Sequence, residues 1–108
     1  MSMDEHAFDR VADVMLHRLE KSLGDLDPDV CDVNLSMGVM TLEFADKGRY
    51  IVNSHRAARQ IWLAAELKAW HFSYHPEPER WVDERSGDEL IGVLEKLVTQ
   101  KLNTPVRI

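Results

Sequence analysis

An α+β fold is what this sequence predicts: a two-layer α-β-α sandwich, with N- and C-terminal helices packed on one face of a roughly six-stranded antiparallel sheet. Three observations predict it. Apolar residues recur at three- and four-residue steps near both ends of the chain, which is the helical period. Between those ends lie short runs rich in β-branched and aromatic residues, parted by polar turns, the mark of consecutive antiparallel strands. The strand runs carry one aliphatic face, so two helices laid on that face close the core and leave the other face open.

Ser2 to Leu23 reads as the first helix, with Phe8, Val11, Ala12, Met15, Leu19 and Leu23 as its apolar stripe. Asp4 and Glu5 fall in the first turn, where the helix dipole favours acids, and Gly24 ends the helix. Asp25-Leu26-Asp27-Pro28-Asp29 is a loop. Val30 to Ser36 alternates Cys31, Val33 and Leu35 against Asp32 and Asn34, a half-buried strand. Met37-Gly38 turns the chain into a second strand, Val39 to Phe44, and Ala45-Asp46-Lys47-Gly48 is a hairpin loop. Tyr50 to Asn53, a charged turn from Ser54 to Arg59, Gln60 to Ala65 and Ala69 to Tyr74 continue the sheet. The prolines of His75-Pro76-Glu77-Pro78-Glu79 exclude that stretch from a central strand, and Arg80 to Glu84 is a short last strand. Ser86-Gly87-Asp88-Glu89 reads as a capping box opening a helix through Leu102 that buries Leu90, Leu94, Leu97 and Val98. Asn103 to Ile108 is a tail, and the sequence leaves open whether its apolar Val106 and Ile108 tuck against the helices.

The 108 residues make one domain, 1–108, with chain for a single core. No apolar run approaches the roughly 20 residues of a membrane span, so no membrane partner is expected. The acidic start, Met1-Ser2-Met3-Asp4-Glu5, matches neither a secretory signal nor an Arg-rich transit peptide. A lone cysteine, Cys31, excludes an internal disulfide and a multi-cysteine zinc site and fits a reducing compartment.

Charge is the most informative part of the composition. Residues 1–32 hold nine acids and three bases, whereas residues 33–108 hold ten of each, so the whole net charge of −6 lies in the first third. That asymmetry argues against nucleic acid and for a cationic partner, either metal ions or a basic protein surface. Glu5, Asp9 and Asp13 stack at i, i+4 and i+8 along one helix face, which His17 and Glu20 continue. Carboxylates are hard oxygen ligands, suited to iron, Mg, Mn and Ca, and an open row of them should bind weakly and with loose geometry. A solvated acidic surface kept for solubility is the plainer account of the same row.

The sheet offers a second candidate surface. Ile61 and Leu63 belong to the core, so Gln60 and Trp62 face the open side, where a large aromatic is either an anchor for a partner or a lid over neighbouring strands. Trp70, Phe72 and Tyr74 share one face of the next strand, and His71, Ser73 and His75 the other. His71 and His75 are about 13 Å apart on a straight strand, too far for one ion, so they are expected as surface or partner-contact residues. Cys31 lies on the aliphatic side and is expected to be inert, and no Walker, Rossmann, HExxH or zinc-finger spacing occurs.

With these residues in view, the sequence resembles the frataxin family, especially its short bacterial members. The resemblance is carried by Asn53, Gln60-Ile61-Trp62-Leu63, Trp70-His71-Phe72, Trp81 and Arg85-Ser86-Gly87. It implies the sandwich deduced above and weak binding of iron (Fe2+ or Fe3+) on an acidic ridge, with other divalent cations competing. It further implies a role as regulator or iron donor of iron–sulfur cluster assembly, through contact with cysteine desulfurase and the scaffold protein. Glu20, Asp25, Asp27, Asp29 and Asp32 match ridge acids, and Asn53, Gln60 and Trp62 match exposed sheet positions. His55 and Ala57 replace the family's usual Gln and Pro after Asn53, Lys68-Ala69 replaces a Gly pair, and Lys21, Ser22 and Gly24 thin the ridge. A cytoplasmic monomer able to form iron-dependent oligomers is the matching expectation. Ferroxidase or iron-storage activity, and an iron-independent acidic interaction module, are the competing ones.

Overall fold

A computed structural model describes residues 3–108. Helix α1 spans Glu5–Leu23, strands β1 to β6 span Cys31–Ser36, Val39–Phe44, Arg49–His55, Gln60–Ala65, Lys68–Pro76 and Glu79–Asp83, and helix α2 spans Leu90–Leu102. The strands form one antiparallel sheet in sequence order, β1-β2-β3-β4-β5-β6. This is the expected α+β sandwich.

Helix α1 starts later than expected because Asp4 is its N-cap: the carboxylate accepts the Ala7 N–H at 2.7 Å. Ser2 lies outside the described residues. The buried stripe is Phe8, Ala12, Met15, Leu16, Leu19 and Leu23, so Leu16 joins it and Val11 is only half-buried. Leu16 lies four residues after Ala12 and three before Leu19, so it keeps the helical period and falls within the roughly 100° arc that faces the sheet, while Val11 sits at the margin of that arc.

Core residues alternate along the strands, with Met40, Leu42 and Phe44 on β2, Tyr50 and Val52 on β3, and Ile61, Leu63 and Ala65 on β4. The Phe8 ring meets Trp81 edge-on at 5.9 Å and Tyr74 meets Trp81 at 5.1 Å, so the first helix and last strand share one aromatic cluster. The tail closes the layer. Val106 is buried and its N–H donates to Thr99 Oγ1, Ile108 N–H donates to Glu95, and Arg18 of α1 donates to the Ile108 carbonyl.

Several boundaries differ from expectation. Strands β3 and β5 are longer: β3 takes in Ser54 and His55, and β5 runs to Pro76, which pairs with Glu79 next to the sheet edge, where a missing N–H is tolerated. The capping box at Ser86 does not form. Residues 85–88 are instead held by Asp83, whose carboxylate accepts the Arg85 and Ser86 N–H groups and whose carbonyl accepts that of Gly87 at φ +78. Helix α2 therefore begins at Leu90. Glu89 is its N-cap, taking the Ile91 and Gly92 N–H groups, while Ser86 Oγ accepts from Asp88 in the preceding loop. Leu97 is half-buried, not core.

Candidate functional site

Two surfaces carry the candidate residues. The first is the exposed side of α1 with the loop that follows it. Its carboxylates fall into three groups along the chain. Glu5 and Asp9 face the β3–β4 turn, where Arg56 Nε lies 3.4 Å from Glu5 and 3.2 Å from Asp9, and Arg59 lies 3.8 Å from Glu5. Asp13, His17 and Glu20 line a shallow cleft of about 290 Å³ against Leu35 of β1 and Met37 and Gly38 of the β1–β2 turn. His17 Nδ1 is 2.8 Å from the Asp13 carbonyl, one turn back on the helix. Asp25, Asp27, Asp29 and Asp32 are exposed in the loop and at the start of β1. Asp27 organises this loop: its carboxylate accepts the Asp29 N–H and its carbonyl accepts those of Val30 and Cys31.

These residues form a discontinuous ribbon of hard oxygen donors. Among the described residues no three His, Cys, Asp or Glu side chains converge as a metal cage. The donor chemistry fits iron and other hard divalent cations, and the open geometry fits loose binding.

The second surface is the outer face of the sheet. Register places Asn53, Trp62 and His71 directly opposite one another on β3, β4 and β5, and His55 opposite Gln60. Side chains on this face converge on Trp62. The His55 ring stacks on it at 4.0 Å and the His71 ring on its other side at 4.1 Å, with interplanar angles of 20° and 12°. Trp62 Nε1 donates to Gln60 Oε1 at 2.9 Å, and Gln60 Nε2 reaches Ser73 Oγ at 3.3 Å. Trp62 is thus on the open side, as expected, but as the half-buried middle ring of a three-ring stack. Neither helix covers it.

His55 is the residue sequence reading missed here. In the sequence it falls in the charged turn after Asn53, and the signal for its role is its place six residues after Arg49, on the outward side of an extended β3. His71 and His75 do not share a site: His71 joins the stack, and His75 Nε2 pairs with Glu84 at 2.6 Å. Asp83, 4% exposed, supports the patch from beneath. It accepts the His71 N–H at 3.0 Å besides those of Arg85 and Ser86. Burial raises the Asp83 pKa, but the three N–H donors outweigh it and hold the carboxyl below the ordinary aspartate value. Cys31 is buried in the core, and burial, with the Asp32 charge beside it, pushes its thiol up to about 11.

An acidic helix beside an uncovered antiparallel sheet, with one aromatic stack at the sheet's centre, defines the class: a two-helix, six-stranded sandwich that presents two unlike surfaces. Comparison with known proteins narrows it. The frataxin-like domain family matches residues 1–104. The iron-sulfur cluster assembly protein CyaY of Pseudomonas fluorescens is 36% identical over 104 residues, covering 96% of this chain and 94% of that one. Its counterpart from Thioalkalivibrio sulfidiphilus is 34% identical, covering 100% and 97%. Frataxin from Psychromonas ingrahamii superposes with a TM-score of 0.86 at 26% identity, covering 97% of each chain. Trimeric frataxin from Saccharomyces cerevisiae, complexed with ferrous iron, superposes with a TM-score of 0.68 at 34% identity, covering 96% and 90%. The chain belongs to the frataxin family.

Proposed function

We propose that residues 1–108 act as one frataxin-like domain that binds iron weakly and serves iron–sulfur cluster assembly as regulator or iron donor, through contact with the cysteine desulfurase–scaffold complex. The observation that carries this reading is the pairing of an open acidic ribbon with an uncovered aromatic patch on one small fold. The ribbon supplies weak oxygen ligation and long-range attraction for a basic partner. The patch supplies an aromatic contact of the kind that anchors an interface. Full-length relatives named as iron-sulfur cluster assembly proteins support the process, and a yeast relative complexed with ferrous iron supports the metal. That relative is trimeric; for this chain the reading is a cytoplasmic monomer that assembles further only when iron is supplied.

The test is a pull-down of desulfurase and scaffold by the intact chain, with and without Fe(II), repeated with Trp62→Ala. Retention of both partners by the wild type and their loss with the variant is the expected result. Failure to retain either partner under any condition would overturn the reading.

A further inference from the structure

The first two turns of the acidic face differ from the rest of it. Glu5 and Asp9, one helical turn apart, both face Arg56, whose guanidinium bridges them at 3.4 and 3.2 Å. Arg59 fixes the base of the same turn: it donates to the Met3 carbonyl at 3.1 Å and to the Arg56 and Ala57 carbonyls at 2.8 and 3.1 Å. Among the described residues, the later acids Glu20, Asp25, Asp27, Asp29 and Asp32 have no Lys or Arg within ion-pair distance. The residue before Arg56 is His55, whose Nδ1 accepts the Ala58 N–H of the turn and whose ring lies on Trp62. Neighbouring residues thus reach to opposite sides of the sheet, Arg56 to the acidic helix and His55 to the aromatic stack.

We infer that Arg56 is a built-in cation of the acidic face, which withholds Glu5 and Asp9 from external divalent cations and links their occupancy to the His55–Trp62 stack. The inference rests on the iron-binding reading above and refines it: external cations fill the later acids first, and filling Glu5 and Asp9 means displacing Arg56. The guanidinium is about half exposed, so its hold is modest and the competition graded. Once a cation takes Glu5 and Asp9, the turn keeps the Arg59 bond to the Met3 carbonyl but loses the Arg56 bridges next to His55 and the longer Arg59–Glu5 pair, and the stacked ring is less firmly held. Coupling of two sites through one shared element acts equally in both directions.

The experiment is a Ca2+ titration of the full chain followed by NMR, reading the carboxyl carbons of the acidic residues and the ring protons of His55, in wild type, Arg56→Gln and Arg10→Gln. Arg10 lies next to Asp9 on α1 but pairs with no carboxylate among the described residues, so its variant makes the same charge change without breaking a bridge. Arg56→Gln should raise Ca2+ affinity at Glu5 and Asp9 about 2- to 5-fold, clearly more than Arg10→Gln. In wild type the His55 ring protons, shielded by the Trp62 ring, should move with the same midpoint as Glu5 and Asp9. In Arg56→Gln they should be shifted before Ca2+ is added and move little afterwards. Equal gains in the two variants, or His55 signals unmoved by both Ca2+ and Arg56→Gln, would overturn the inference. If the carboxyls of Asp25 to Asp32 respond in every variant but Glu5 and Asp9 in none, the inference fails and the cation-binding reading stands. If no carboxyl responds in any variant, both fail.

Discussion

The indole N–H of Trp62 donates to Gln60 Oε1 at 2.9 Å, two residues back on the same strand. The hydrogen-bonding end of this side chain is therefore satisfied inside the free protein, and both ring faces are covered by histidines. What remains for a partner is the outward edge of the ring and the rims of His55 and His71. The patch is thus held in shape before anything docks, and little side-chain entropy need be lost on binding.

Trp62→Ala should separate folding from docking. The ring is outside the core, so unfolding should become easier by only about 1 kcal/mol, the scale of aromatic pairing beyond burial. Affinity for the desulfurase complex should fall by about 2 kcal/mol or more, chiefly through faster dissociation. Denaturant titration and surface-binding kinetics on the same variant check both. A stability loss as large as the 3–5 kcal/mol of a core aromatic would show that the ring supports the fold.

Helix α2 gives a second test, because two residues compete for the role of cap. Glu89→Ala removes the acceptor for the Ile91 and Gly92 N–H groups and should cost about 1 kcal/mol. Ser86→Ala removes a single 3.2 Å bond to Asp88 in an exposed loop and should cost clearly less. Urea midpoints of the two variants settle the order.

Local signals in the sequence carried the strands well. The alternation of Trp70, Phe72 and Tyr74 against His71 and Ser73 needs no tertiary information, and neither does the outward side of Gln60 and Trp62. Features that depend on distant partners were not legible. Arg56 meets Glu5 and Asp9 across about half the chain, and nothing local marks that pairing. Ser86-Gly87-Asp88-Glu89 has the composition of a capping box, yet Asp83 captures the backbone of residues 85–87 and delays the helix. Asp83 carries no local signal either, because an aspartate at the end of a short edge strand has the pattern of an ordinary surface residue, and only the fold brings three N–H groups to its carboxylate.

Asp83 should also shape the response to acid. Its folded-state pKa lies below the unfolded one, so the ionised form is favoured by folding. Its contribution is complete above the unfolded value of about 4. It is lost as pH falls through the lower, folded value. Asp83→Asn should therefore destabilise the protein at neutral pH by about 1–3 kcal/mol, since the amide keeps one oxygen acceptor and at least one N–H would face its NH2 donor instead of a carboxylate oxygen. The gap between variant and wild type should narrow below pH 4. Thermal midpoints measured across pH 2–7 check this, and a gap independent of pH would assign the effect to packing alone. Because Asp83 also holds the His71 N–H, the variant should weaken the stack and so the docking patch.

The acidic ribbon should divide into two functional parts on mutation. Glu20, Asp25, Asp27, Asp29 and Asp32 carry no ion pair to Lys or Arg among the described residues, so their charges mainly repel one another. Replacing all five with Gln or Asn keeps the acceptor by which Asp27 holds the Asp29 N–H. The unfolding midpoint should then stay level or rise, most visibly at low salt, where the Debye length is long. Divalent cation binding should largely disappear. Glu5→Gln with Asp9→Asn should behave in the opposite way. That change breaks the Arg56 bridges and the Arg59–Glu5 pair, each worth at most about 1 kcal/mol, so the midpoint should fall, while most cation binding persists. Paired measurements of unfolding and Fe(II) or Mn(II) binding, at 0.01 and 1 M salt, distinguish the two sets. Identical behaviour of the two sets would mean that the ribbon acts as one undivided field of charge and that the ion pairs at its N-terminal end have no separate role.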